Sequence, residues 1–243
     1  MKMLTFSLRN QKEIVRDPLT VIMSLGFPLI VLFLLTAIQA NIPVPLFEIN
    51  ALTPGITIFG LSFMTLFASI LVAKDRESAL LQRLYTTPLT AVDFILGYTL
   101  PILPIAVAQA LVTYLVAFIL GMKITVNILL ALLFVLPISI FFIAMGLLFG
   151  SILSVKAVGG ISGALFTNLA AWLSGIWFDL DLVGGPFEAI ANALPFVHCV
   201  DLEKAVVAGN FSGIVPHIWW ILGYSVVALV FAILLFLRQM KKQ

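Results

Sequence analysis

Charge is scarce in this chain. Asp, Glu, Lys and Arg together make up 10% of the residues, against 62% hydrophobic. Soluble domains carry about a quarter charged residues, so an ordinary water-soluble fold is excluded. Cysteine occurs once, at Cys199, which rules out an internal disulfide or a thiolate metal cage; a small packing residue is expected there. No G-x-x-x-x-G-K-[ST] stretch occurs, and no lysine is followed by Ser or Thr, so no phosphate-cradling loop is encoded. Soluble domains, low-complexity tracts and clear internal repeats are also missing, and the last absence weakens the inverted-repeat carrier folds.

What the sequence has instead is long apolar runs. Several exceed the roughly 18 residues that mark a membrane-spanning helix. The expectation is an all-α integral membrane protein, one membrane domain over residues 1–243, with six transmembrane helices at about 19–39, 54–73, 94–120, 126–154, 157–177 and 218–237. The first run is too long for the apolar region of a signal peptide, about 7–15 residues, and it ends at "AIQA" without a cleavage pattern. It reads as a retained span. With the N-terminus inside, Lys2, Arg9, Lys12, Arg16, Lys74, Arg76, Arg83, Lys156, Arg238, Lys241 and Lys242 are cytoplasmic, and only Lys123 and Lys204 lie outside. That asymmetry is a positive-inside signal placing both termini in the cytoplasm.

Segment 2–16 sets Leu4, Leu8 and Ile14 among basic residues and stops at Asp17-Pro18; it reads as an amphipathic interfacial helix on membrane lipid, with a disordered basic tail as the other reading. Pro28, Pro101, Pro104 and Pro137 interrupt the spans and read as packing kinks rather than gates. Gly146 with Gly150, and Gly159 with Gly163, recur at four-residue spacing, which lets helix backbones approach within the chain or at a subunit seam. The external segment 178–217 holds "PFEAIANALP" and "FVHCVDLEKAVVAG", each too short to cross. External re-entrant or interfacial helices are expected there, the second capped by Gly209.

The spans lack Asp, Glu, Lys, Arg and His away from their ends. Ion-driven carriers bury such groups despite their cost, so no proton relay is evident. With no nucleotide loop either, energised transport would need a motor on another polypeptide and a docking element facing it. "KDRESALLQRLYTTPL", residues 74–89, is the densest charged stretch between two spans. Leu80, Leu81 and Leu84 follow Glu77 at i+3, i+4 and i+7, one stripe of a short helix. Lys74, Asp75, Arg76, Glu77 and Arg83 then face the cytosol or a partner; a solvated positive-inside loop is the plainer alternative.

"KDRESALLQRLYTTPLTAVDFILGYTLP" resembles the segment between the second and third spans of type-2 ATP-binding-cassette exporter permeases, and "ALPFVHCVDLEKAVVAGNF" resembles their stretch before the last span. The resemblance implies a dimeric transport subunit, homodimer or heterodimer, in a bacterial cytoplasmic membrane. Each copy would dock an ATPase subunit that binds ATP and Mg. This chain would carry no cofactor, catalytic residue or metal of its own. It implies a coupling helix at 74–89, with Glu77, Leu81, Arg83 and Leu84 on the motor and Lys74 and Arg76 tying the second span to it. Asp201 corresponds to an acidic external gate residue, with Lys204 near it a softer match. The family's second and fifth spans face each other across the dimer axis, which would place Phe59, Phe63, Met64 and Phe67 with Phe166, Asn168 and Trp172 along the path of a lipophilic or amphiphilic cargo. Two plainer readings stay open: the aromatic stripe faces lipid or core, and Asn168 is interhelical glue.

Three rivals compete with this reading. A stand-alone carrier or channel would transport without a partner. A metal hydrolase would draw on His198, Asp201, Glu203 and His217, which lack the H-E-x-x-H spacing. A structural or sensory subunit would leave a partner's ATPase indifferent to substrate. Nothing points to nucleic acid.

Overall fold

The computed structural model describes residues 2–78 and 90–240, and among the described residues every regular element is helical. The helices are α1 (Lys2–Val15), α2 (Pro18–Gln39), α3 (Ile49–Glu77), α4 (Ala91–Ile119), α5 (Asn127–Ile152), α6 (Val155–Val158), α7 (Phe166–Trp172), α8 (Gly185–Ala193), α9 (Pro195–Ala208) and α10 (Ile214–Met240). A π-helical stretch, Gly159–Leu165, joins α6 to α7.

Among the described residues, four stretches are long and apolar enough to cross a bilayer: Ile49–Glu77, Ala91–Ile119, Asn127–Ile152 and Phe211–Arg238. At 29 residues each, α3 and α4 reach about 43 Å, well past a hydrocarbon layer of about 30 Å. Both therefore carry polar turns beyond the apolar runs 54–73 and 94–120. The first expected span lies within α2, whose apolar part, Ser24–Gln39, is shorter. The fifth departs from expectation. Its helix stops at Trp172 rather than 177, because Gly175 takes a positive φ of 70° and the Ser174 hydroxyl turns back to the Ala171 carbonyl.

Local chemistry sets the other ends. Thr90 and Asp93 form a reciprocal capping box at the start of α4. Pro195 begins α9, and Gly209, at φ 74°, ends it by donating to Ala205 and Val206, as the glycine there predicts.

α3 lies at the centre, packed on α2, α4, α5 and α9. Lipid is as apolar as leucine, so burial alone does not hold membrane helices together; close contact and hydrogen bonds do. The α3–α5 seam has both. A Cβ on Gly146 would come within 2.5 Å of the Thr65 carbonyl oxygen, and one on Gly150 within 2.7 Å of that of Ser69. Where glycine admits this approach, Thr65 donates to the Phe142 carbonyl at 2.8 Å and Ser69 to that of Gly146 at 3.1 Å. The first glycine pair is thus intrachain packing. The second divides: Gly163 meets the Leu66 side chain of α3, whereas Gly159 faces open space.

α1 is helical as expected, but its faces are not as grouped above. Phe6, Asn10 and Ile14, spaced i, i+4, i+8, are buried, while Leu4 and Leu8 are exposed on another side. Phe6 packs edge-on to Tyr98 of α4, and Asn10 donates to the Gly97 carbonyl at 3.0 Å. Ile14 therefore belongs with the bundle, not with Leu4 and Leu8.

Candidate functional site

Successive residues of a helix point about 100° apart, so the four that end α3 fan out toward different neighbours. Asp75 turns inward. It is 1% exposed, accepts from Arg9 of α1 at 2.6 Å, and accepts from the Tyr98 hydroxyl of α4 at 2.7 Å. This corrects the expectation that all the charges here face cytosol or a partner: a buried carboxylate persists where a cation and a hydroxyl compensate it. Arg9 also pairs with Glu13 at 2.5 Å and donates to Asn10 at 2.8 Å.

Arg76 donates to the Ser151 and Leu153 carbonyls at the C-terminal end of α5. A guanidinium suits this end, where carbonyls lack helical partners and the helix dipole is negative. Glu77 does the converse, accepting from the Val155 amide at 2.8 Å at the start of α6. Lys74 is half-buried. Asp75, Arg76 and Glu77 thus brace α1, α4, α5 and α6 where the chain leaves α3. Leu81, Arg83 and Leu84, and with them the expected short helix, lie outside the described residues.

The aromatic stripe of α3 is mostly enclosed. Phe59 is buried against Phe27, Phe63 and Trp177, with ring centroids 5.7, 5.7 and 5.6 Å away. Met64 and Phe67 sit in the core, and Phe63 alone of the four is partly exposed. Phe166 is also interior, against Phe142, Phe149 and Phe196. Asn168 and Trp172 are exposed, together with Ile161, Leu165 and Leu169, on one outward face of the π-helical stretch and α7, where Trp172 also meets the Phe178 ring at 5.8 Å. The Asn168 amide donates to Ala164 at 2.8 Å within its own helix and bridges no other. Phe63, Asn168 and Trp172 are thus accessible in a single chain, and Phe59, Met64, Phe67 and Phe166 are not.

At the opposite end, Asp201 and Lys204 line a cavity of about 310 Å³ with Asp179, Asp181 and Asn192. Burial raises the Asp201 carboxyl above its usual range, with Lys204 and both histidines opposing. His198 and His217 meet through their Nδ1 atoms at 2.9 Å, and His198 stacks on Trp220. That contact needs a donor and an acceptor, hence one neutral ring at least; burial accordingly lowers the His198 pKa.

Glu203 parts company with these groups and turns into the bundle. Fully buried, it accepts from the Tyr114 hydroxyl at 2.7 Å, and burial pushes its carboxyl up to about 8. The four residues weighed as metal ligands therefore divide between two places. The sequence held a sign of this: Glu203 falls on the buried stripe of α9 with Phe196, Cys199, Val200 and Val206. Arg9, Asn10 and Tyr98 carried no comparable sign, since what they contact comes from distant segments.

Comparisons with curated proteins and with solved structures return no match. The family model described as ABC-2 type transporter matches residues 2–207, which takes in α1, the braced end of α3 and nearly all of α9. On that match the chain belongs to the ABC-2 type transporter family.

Proposed function

We propose that this chain is the permease subunit of an ATP-driven exporter, pairing with a second permease copy and with ATPase subunits that hold ATP and Mg. The observation that carries this reading is the braced end of α3. Asp75, Arg76 and Glu77 fasten it to α1, α4, α5 and α6, so force applied through the segment that follows reaches most of the bundle. The basic end, with both termini, faces the cytoplasm of a bacterium, and six spans cross the membrane. Leu81, Arg83 and Leu84 meet the motor, while Lys74, Arg76 and Glu77 act as its mounting.

The cargo is lipophilic or amphiphilic: a drug, an antimicrobial compound or a lipid-like molecule. It travels along a seam where Phe63 of α3 and the exposed Asn168–Trp172 face meet their counterparts on the second copy. Asp201 gates the outer end, beside the cavity it lines. A stand-alone carrier is the competing reading, and liposomes holding this chain alone separate the two.

The direct test is reversal at Arg83. R83E should reduce co-purification of the ATPase and ATP-dependent export in vesicles, with unchanged yield of the permease. Unchanged co-purification and export would overturn the docking assignment. Glu77 is a poorer probe, because its loss also uncaps Val155. D201A in the same vesicles should lower export while sparing insertion; wild-type export would leave Asp201 a surface charge.

A further inference from the structure

The described spans hold no ionisable group away from their ends except three tyrosines, Tyr98 and Tyr114 of α4 and Tyr224 of α10. Tyr114 meets the fully buried carboxyl of Glu203. The Tyr114 hydroxyl satisfies one carboxyl oxygen, and the other, Oε2, has no partner. Such a group is far costlier as an anion than as a neutral acid.

Among the described residues no cation relieves it. On its own helix, Asp201 and Lys204 line the outer cavity, and Cys199 is the titratable neighbour. From α4 the titratable neighbour is Tyr114, beside which α3 contributes the Thr57 hydroxyl. The ionisable residues of α3 lie at its far end, and α5 contains none. On α10, His217 is taken up by His198 and Tyr224 by the Ala193 carbonyl, while Arg238 is in the last turn. On α8, Glu188 is the ionisable residue, and it is partly exposed.

We propose that Glu203 is a proton-binding site that latches α9: the carboxyl is held neutral while α9 is seated on α3, α5 and α10 with Glu203 against Tyr114 of α4, and it ionises far more readily when α9 lifts and admits water. Lifting α9 therefore releases a proton, and reseating takes one up. This goes beyond the transport reading, since it concerns the seating of α9 and holds whether or not an ATPase is bound.

The sign follows from linkage. The seated form binds more protons, so alkaline conditions favour the lifted form. The bias grows about tenfold per pH unit from the ordinary glutamate value of about 4.3 and levels off near the seated value of about 8.

Cys199, the single cysteine, lies fully buried one turn before Glu203 and reports on lifting. In nanodiscs without ATPase, its labelling by a soluble maleimide would be divided at each pH by that of glutathione, which removes the intrinsic thiol titration. The ratio should climb about tenfold per pH unit and plateau near pH 8 in the wild type. It should stay flat and low in E203Q. Y114F removes the hydrogen bond that favours the anion and should shift the plateau to higher pH. Infrared spectra of the wild type should show a carboxylic acid C=O stretch at neutral pH that disappears on alkalinisation. A flat wild-type ratio, or no acid band at neutral pH, overturns the proposal. Should E203Q label at every pH through misfolding, the infrared band and the Y114F shift decide. None of these readouts needs cargo or motor, so their failure is distinct from failure of the exporter reading.

Discussion

Arg9 and Asp75 are 66 positions apart in the chain and 2.6 Å apart in space. This contact fixes α1, the first helix, to the C-terminal end of α3. Asp75 is 1% exposed and Arg9 38%, so the pair straddles the surface of the bundle rather than lying deep within it.

Breaking the pair from its two sides should not cost the same. R9A strands a buried carboxylate on the Tyr98 hydroxyl alone, whereas D75N removes the charge and leaves an acceptor. We expect R9A to cost about 1–3 kcal/mol, less than a fully buried pair because Arg9 is partly solvated, and D75N to cost less. The double variant should resemble D75N. Thermal unfolding in detergent measures all three, and equal losses for the two single variants would show that no charge pairing is involved.

Gly146 and Gly159, one from each pair, should respond oppositely to alanine. At Gly146 the added carbon meets the Thr65 backbone, which cannot swing away, and the expected cost is about 1–3 kcal/mol. At Gly159 it meets nothing within 4 Å, and the gain in helix propensity should leave stability unchanged or raised by about 0.5–1 kcal/mol. Melting temperatures of G146A and G159A test the contrast; a G159A loss as large as that of G146A would mean the open face is covered in the assembled protein.

Phe63 and Phe67 are neighbours on α3 with different surroundings. F63A should change which compounds are exported while costing less stability than F67A, since its ring is only partly buried against Phe27 and Phe59. F67A removes a core ring that is 3% exposed and should cost about 3 kcal/mol whatever the cargo. Export profiles beside melting curves separate the two effects; an unchanged F63A profile removes Phe63 from the path.

The reach of the sequence can be judged at particular residues. The apolar runs located four membrane-length helices to within a few residues, because bilayer thickness sets a length that composition reports directly, while the fifth expected span passes through a π-helical stretch and stops at Trp172. Gly209 was legible because αL capping needs little beyond glycine itself. Asp75 was not: its burial depends on Arg9 and Tyr98 arriving from other helices, which no local spacing encodes. Met64, Phe67 and Phe166 failed as path residues for a related reason. Periodicity says which residues share a face of a helix, but not whether a neighbour covers that face. Glu203 lies between these cases, since its register on α9 predicts burial while Tyr114, from a distant segment, supplies its partner.

The α3–α5 seam has a mechanical consequence. With two glycines seated against backbone, two hydroxyls bonded to carbonyls of the opposite helix, and Arg76 holding the end of α5, neither helix can slide along the other without breaking several contacts at once. The pair behaves as one beam: it can tilt, but it has no internal shear. Compliance is left to the π-helical turns at Gly159–Leu165, beside a glycine with free space around it. A tilt of the beam would therefore be absorbed in that stretch, which makes the helical run following the beam the joint of the chain rather than another strut.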